Sequence, residues 1–401
     1  MRKHLLSMIL LMGALVSCVY PFEPELNKET RKLVIEGDIV LGDITVVKLS
    51  YMAYLDERSP EPMYNCEVKV QDSAGNEYLP VPQYTSFPGS PEDNLSGIYY
   101  INTSIVPPEP QDMQYRLYVK LRDGREYVSE WQTPRKAPEV DAVTHELDEA
   151  TGQVCFNLSV HSNDGEQYFR WYFDEDWEYM VYYKAEYYYQ PPQDEEDNPF
   201  GYLLKFENGQ NTRYCWKTGS STALYFTSTK DLSADTVTEK NFYRINRDNQ
   251  KLSVLYAMNV KVESLSEDAY RYWNNMFNNS ENVGNLFAPI PSEVRGNIHS
   301  LSDPDELVLG YINVSTVSQK RIFVDNDKTG YYDVPWKLEE DEVSQVIAPE
   351  DWKSAYFGRY RMRPVSRGEG MDSYWAPIQC VDCRSLGGTK NKPSWWPNNH
   401  K

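Results

Sequence analysis

Between Tyr168 and Tyr189, twelve of twenty-two residues are aromatic: Tyr168, Phe169, Trp171, Tyr172, Phe173, Trp177, Tyr179, Tyr182, Tyr183, Tyr187, Tyr188 and Tyr189. Acids are interleaved at Asp174, Glu175, Asp176 and Glu178, and four more follow at Asp194, Glu195, Glu196 and Asp197. Rings of this kind stack on sugar faces or anchor peptide and protein partners. Acids set between rings need water, so the stretch reads as an exposed acidic face that favours a cationic partner. Its candidate contact residues are Trp171, Tyr172, Asp174, Asp176, Trp177, Glu178, Tyr182 and Tyr183. The competing reading is a long β-hairpin whose rings cover its own base below a solvated acidic tip. Asp174, Asp176 and Glu178 offer oxygen atoms on one strand face, but the Gly turn and terminal Glu of a calcium loop are missing, so no metal is expected.

Cysteine supplies the next chemistry. Cys380-Val381-Asp382-Cys383 is a C-x-x-C, yet it lacks the second ligand pair of a zinc site and the βαβ context of a thioredoxin site. Pairing of Cys380 or Cys383 with Cys215 is open, while Cys66 and Cys155 occupy alternating apolar positions and read as core. Nucleophilic catalysis finds little to work with. His145, His161, His299 and His400 are the histidines past residue 4, and no G-x-S-x-G, H-E-x-x-H or Gly-rich phosphate loop is present. His299, in the polar segment Arg295–Ser300, is the best single functional histidine. Sixty acids always supply carboxylate pairs, so a glycosidase pair carries no weight. No cofactor and no enzymatic activity are expected.

The first residues are an address. Arg2 and Lys3 precede an apolar run from Leu5 to Val16 that ends in Leu15-Val16-Ser17-Cys18. The run is shorter than the roughly 20 residues a bilayer requires, but it suits a signal peptide. Its end resembles a lipobox, which makes Cys18 the lipidation site; two or more acyl chains anchor a protein stably.

The elements that position these residues are strands. Tyr115, Leu117, Val119 and Leu121 alternate, as do Cys66, Val68 and Val70; Val154, Phe156, Leu158 and Val160; and Leu252, Val254, Tyr256, Met258, Val260 and Val262. Half-buried antiparallel strands predict this period. Arg122-Asp123-Gly124-Arg125 predicts a hairpin turn. One helix is expected after Ser266 as N-cap, with Glu267 and Asp268 in the first turn and Ala269, Tyr270, Trp273, Met276 and Phe277 on one face. The expected plan is a signal peptide at 1–17, a lipidated tether at 18–32, a β-sandwich at 33–132 and a linker at 133–141. A larger mostly-β domain at 142–370 with one inserted helix follows, then an extended tail at 371–401. The chain has 401 residues, 32 of them Tyr, and a formal net charge of −20, which disfavours nucleic acid as a partner.

Several segments together carry a family likeness. They are Cys18 with Pro21-Phe22-Glu23-Pro24, Leu33-Val34-Ile35-Glu36-Gly37, Tyr168-Phe169-Arg170-Trp171, Tyr214-Cys215-Trp216 and Leu265 to Trp273. Pro291 to Ile298, Val308-Leu309-Gly310-Tyr311, Lys320-Arg321-Ile322-Phe323, and Cys380 to Cys383 with Gly387-Gly388 complete the series. In this order the chain resembles the domain of unknown function 4249 family of Bacteroidetes lipoproteins. The resemblance implies an outer-membrane lipoprotein, often encoded beside a TonB-dependent receptor, with an immunoglobulin-like or carboxypeptidase-regulatory-like sandwich near its N-terminus. The family offers no catalytic residues to transfer. The expected function is a non-enzymatic, surface-facing binding module that assists a TonB-dependent transporter in nutrient uptake, its ligand unnamed. A surface hydrolase acting on glycan or peptide, and a structural or adhesive protein, are the alternatives.

Overall fold

The computed structural model describes residues 31–53, 57, 59–81, 97–106, 112–162, 165–194, 198–207, 212–232, 235–281, 294–333 and 344–397. Cys18 lies outside the described residues. The protein is mainly β, in several antiparallel sheets with few helices.

The first third carries β1 (Leu33–Val40), β2 (Ile44–Tyr51), β3 (Glu61–Pro62), β4 (Glu67–Asp72), β5 (Glu77–Tyr78), β6 (Ile98–Asn102), β7 (Tyr115–Lys120) and β8 (Glu126–Ser129). One sheet holds β1, β2, β3 and β6, and the other runs β8-β7-β4-β5. Their inner faces share one core, with Ile35, Val47, Leu49 and Ile101 from the first and Val68, Val70, Leu117 and Tyr127 from the second. The predicted alternation of Tyr115, Leu117 and Val119 is this inward face. The Arg122–Arg125 turn joins β7 to β8, with Gly124 at φ 92°.

The second body begins with β9 (Glu139–Asp148) and β10 (Gln153–His161) and then the long β11 (Tyr168–Met180). There follow β12 (Tyr187–Gln190), β13 (Tyr202–Lys205), β14 (Tyr214–Ser220), β15 (Tyr225–Ser228), β16 (Thr236–Asn246) and β17 (Leu255–Ser264). Helix α1 (Glu267–Glu281) is capped as expected, Ser266 Oγ accepting from Ala269 N at 3.0 Å. Ala269 and Tyr272 are buried and Trp273 packs beside them, but Met276 and Phe277 are exposed, because the helix runs past the core it covers.

The chain then returns to the first sandwich. β18 (Ile298–Ser300) pairs with β8, and β19 (Val314–Ser315) lies parallel to β1. Ile298, Val308, Ile312 and Val314 enter the first core, each buried side chain contributing about 1.5–3 kcal/mol. The sandwich expected at 33–132 is therefore completed by residues from beyond the 133–141 segment, which local alternation does not reveal. The crossing is close: a Cβ on Gly310 (φ 122°) would stand 1.9 Å from Ile35 O. The Asn297 amide pairs both ways with the Ile312 backbone, at 2.9 Å each.

β20 (Ser318–Asp325) completes the sheet β14-β11-β17-β20, to which β15 adds at β11. That sheet packs on the sheet β16-β10-β9, burying Phe156, Leu158, Phe169, Trp171, Phe173, Met258 and Val260 between them. A short α2 (Asn326–Thr329) follows. Then come β21 (Gln345–Ile347), α3 (Trp352–Phe357), β22 (Met362–Arg367), β23 (Ser373–Pro377) and α4 (Ile378–Val381). β23 is the middle strand of the sheet β21-β23-β22, so the division expected at 370 falls within a hairpin turn. Past Pro377 the chain lies as a strap over the second body, but it starts with helical turns at Ile378–Val381 and Cys383–Leu386 and not as the expected extended tail. Trp216 and Thr389 exchange backbone hydrogen bonds at 2.8 and 2.9 Å, and the Trp396 ring is buried beside Trp216 and Leu255.

Candidate functional site

The aromatic stretch is two structures joined. Its first part is β11, flanked by β17 along one edge and by β14 and β15 along the other. Period 2 places Phe169, Trp171, Phe173 and Trp177 on one face, against the opposing sheet. Asp174, Asp176 and Glu178 fall on the other face. Alternation separates these three acids from those four rings, although Tyr168 and Tyr172 share the acid face and Glu175 the ring face.

The expected exposed acidic face is thereby corrected. Trp171 is buried and stacks on Tyr225 at 5.7 Å, and Trp177 packs at the edge of the same core. Tyr172 is half-buried, and burial drives its phenol pKa up. Asp174 pairs with Lys261 at 2.8 Å and accepts from Ser220 Oγ at 3.1 Å. Burial raises the Asp176 carboxyl pKa, an effect Arg321 opposes. Glu178 is fully buried and accepts from Trp396 Nε1 at 3.1 Å. Glu175, the acid on the ring face, is buried with Lys251 as its ion-pair partner and Tyr256 Oη donating to it at 2.9 Å. Tyr182 and Tyr183 are half-buried and stack edge-on at 4.7 Å. Of the twelve rings, Tyr188 alone is exposed.

The second part turns away into β12 and meets the C-terminal strap. Cys215 and Cys383 form a disulfide, leaving Cys380 as a half-buried thiol whose pKa burial raises. Tyr179 Oη donates to Cys383 O at 2.6 Å, Cys383 N to Thr212 O at 2.9 Å, and Tyr183 N to Cys380 O at 2.8 Å. The contact leaves no room for a side chain at residue 388, since a Cβ on Gly388 would lie 2.2 Å from Tyr179 Oη.

Where β12 and the strap meet there is an open cleft of ≈ 320 Å³. Tyr187, Tyr188, Tyr189 and Phe206 line it together with Tyr356, Arg363, Asp382 and Arg384. Tyr188 and Phe206 lie at 5.3 Å. Tyr189 is buried behind them against Trp352, Tyr356 and Trp375. A profile of the family described as Domain of unknown function (DUF4249) matches residues 19–321. The chain belongs to this family. No curated protein matches it. In this DUF4249 protein the matched span covers Tyr187–Tyr189 but ends before Arg363, Asp382 and Arg384.

The cleft's electrostatics run against the net charge. Arg384 forms a bidentate pair with Asp382, at 2.9 and 2.7 Å, and that partner raises its pKa. Arg363 stacks over the Tyr356 ring at 3.9 Å. Its Nη1 donates to the carbonyls of Met362, Tyr356 and Arg361 at 2.9, 3.3 and 3.3 Å. Burial lowers its pKa. The arrangement presents aromatic walls and oriented donors, the groups of a recognition site. His145, His161 and His299 lie elsewhere; His299 is exposed on β18, 3.3 Å from Glu130. Sequence reasoning singled out the tyrosines as a class but missed Arg363, Arg384 and Tyr356. The one available signal was the cluster of four arginines at 359–367 in an acidic chain.

Proposed function

We propose that this protein is a lipid-anchored, non-enzymatic binding module that serves a TonB-dependent transporter of the outer membrane in nutrient uptake. The observation that carries the reading is the cleft between β12 and the strap, whose walls are aromatic rings and guanidinium groups held on rigid elements. The strap is fastened by the Cys215–Cys383 disulfide, which suits an oxidising compartment outside the cytoplasm. Exposed Val346, Phe357 and Tyr374 on the neighbouring β21-β23-β22 sheet and α3, with Tyr360 and Met371 in the adjoining turns, offer apolar surface for a receptor. Cys18 supplies the anchor.

The test is affinity capture of the lipidated protein from detergent-solubilised outer membrane, with co-eluting proteins identified by mass spectrometry. A stoichiometric TonB-dependent receptor is expected. Elution of the protein alone under mild detergent overturns the transporter role. The Cys18→Ser variant is expected to leave the membrane fraction; retention there overturns the anchor.

A further inference from the structure

Reading the cleft as a binding site leaves its ligand unnamed. We propose that it takes a small molecule joining a carboxylate to a ring with an apolar face, with Arg363 reading the carboxylate. This rests on the binding reading above and deepens it.

Arg363 carries the argument. It is half-buried, and no carboxylate pairs with it among the described residues. The nearby acid, Asp382, is already held by Arg384. Nη1 is occupied by three backbone carbonyls, which fix the plane of the guanidinium, and Tyr356 stacks on its face. Nε and Nη2 have no partner among the described residues. A guanidinium drawn partly out of water without a counterion is unfavourable. A carboxylate meeting two of its N–H groups is the planar, bidentate partner that Arg selects.

Two further observations set the rest of the ligand. Arg363 and Arg384 line the cleft with Asp382 as the one acid among its described lining residues, so the local charge is opposite to the chain's net −20. Tyr188 and Phe206 form an apolar wall, and rings of this kind stack on sugar or aromatic faces. The volume of ≈ 320 Å³ sits at the small end of ligand pockets, which run about 300–1,000 Å³. It suits one ring with a short acidic arm. Acidic sugars and aromatic amino acids share this chemistry, and the experiment separates them.

The experiment is calorimetric titration of the full mature protein with two matched pairs, D-glucuronate against D-glucose and N-acetyl-L-phenylalanine against its amide. In at least one pair the carboxylate is expected to bind about tenfold tighter than its neutral partner, more weakly as salt rises. The pair that discriminates names the source. Arg363→Gln is expected to abolish the discrimination, and Arg363→Lys to restore part of it. Because Arg363 also holds backbone, Tyr188→Ala at an exposed ring is the second variant, and it is expected to weaken both members of the pair. Equal affinities within both pairs, or no binding of either carboxylate up to about 10 mM, overturn the proposal. So does discrimination that survives in a folded Arg363→Gln protein. These outcomes leave receptor capture untouched, and failure of capture leaves the affinities untouched.

Discussion

β11 and β12 draw on the same residue types within one short stretch of chain and end in opposite environments. β11 is central in its sheet, with one face against β10 and β16 and the other shared by the strap and the Arg170 ion cluster. That cluster joins the bodies: Arg170 on β11 pairs with Glu263 on β17 and Asp38 on β1, and Glu263 accepts from Ser315 Oγ of β19 at 3.1 Å. β12 pairs with β13 in a two-stranded sheet, with the cleft open beside it. Aromatic content therefore does not mark a site. The number of covered faces does, since a ring covered on every side is core and a ring left at an edge is available.

The comparison is broken most severely if β11 tolerates truncation. Trp171→Ala should destabilise by about 3–5 kcal/mol, read as a fall in denaturant midpoint; a loss within error would show the ring is not core. Next is the strap. Opening the 168-residue separation by Cys215→Ser should cost about 2–4 kcal/mol, with the wild type in reductant matching the variant. Glu175→Ala leaves Lys251 without its carboxylate and should cost about 2–3 kcal/mol, less than a fully buried pair because Lys251 retains some access to water. A double-mutant cycle with Lys251→Met isolates that coupling.

A pH effect comes next. Burial and the neighbouring Asp38 raise the Glu263 carboxyl pKa from 4.5 to about 7, against the pull of Arg170. The unfolded chain releases that proton sooner, so the stabilising contribution is complete below pH 4.5 and is lost as pH rises toward about 7. Urea melts should show this fall, and Glu263→Gln should flatten it. The smallest stability effect belongs to β12. Tyr188→Ala should change stability by under about 0.5 kcal/mol, so any functional loss it causes is local.

Much of the fold was legible. Alternation located β4, β7, β10 and the body of β17, though Leu252 and Val254 precede that strand and Leu252 closes a 3-10 turn; Ser266 located α1, and the Asp123-Gly124 turn located a hairpin, because each is a local preference repeated over a few residues. The return of β18 and β19 was not legible: strands of three and two residues carry no period of their own. The site was half legible. The tyrosines stood out, but which were exposed, and that Arg363, 174 residues on in sequence, lines the same cleft, required β22 and the strap to be packed beside β12.

The sequence by itself determined the β character, the family and the residue types, since these follow from periodicity and from motifs that each lie within a few residues. Tertiary structure decided which cysteine Cys215 joins, which acids find cations and which ring stays in water. Those outcomes depend on what packs over the second face of each strand, and that cover comes from chain far away in sequence.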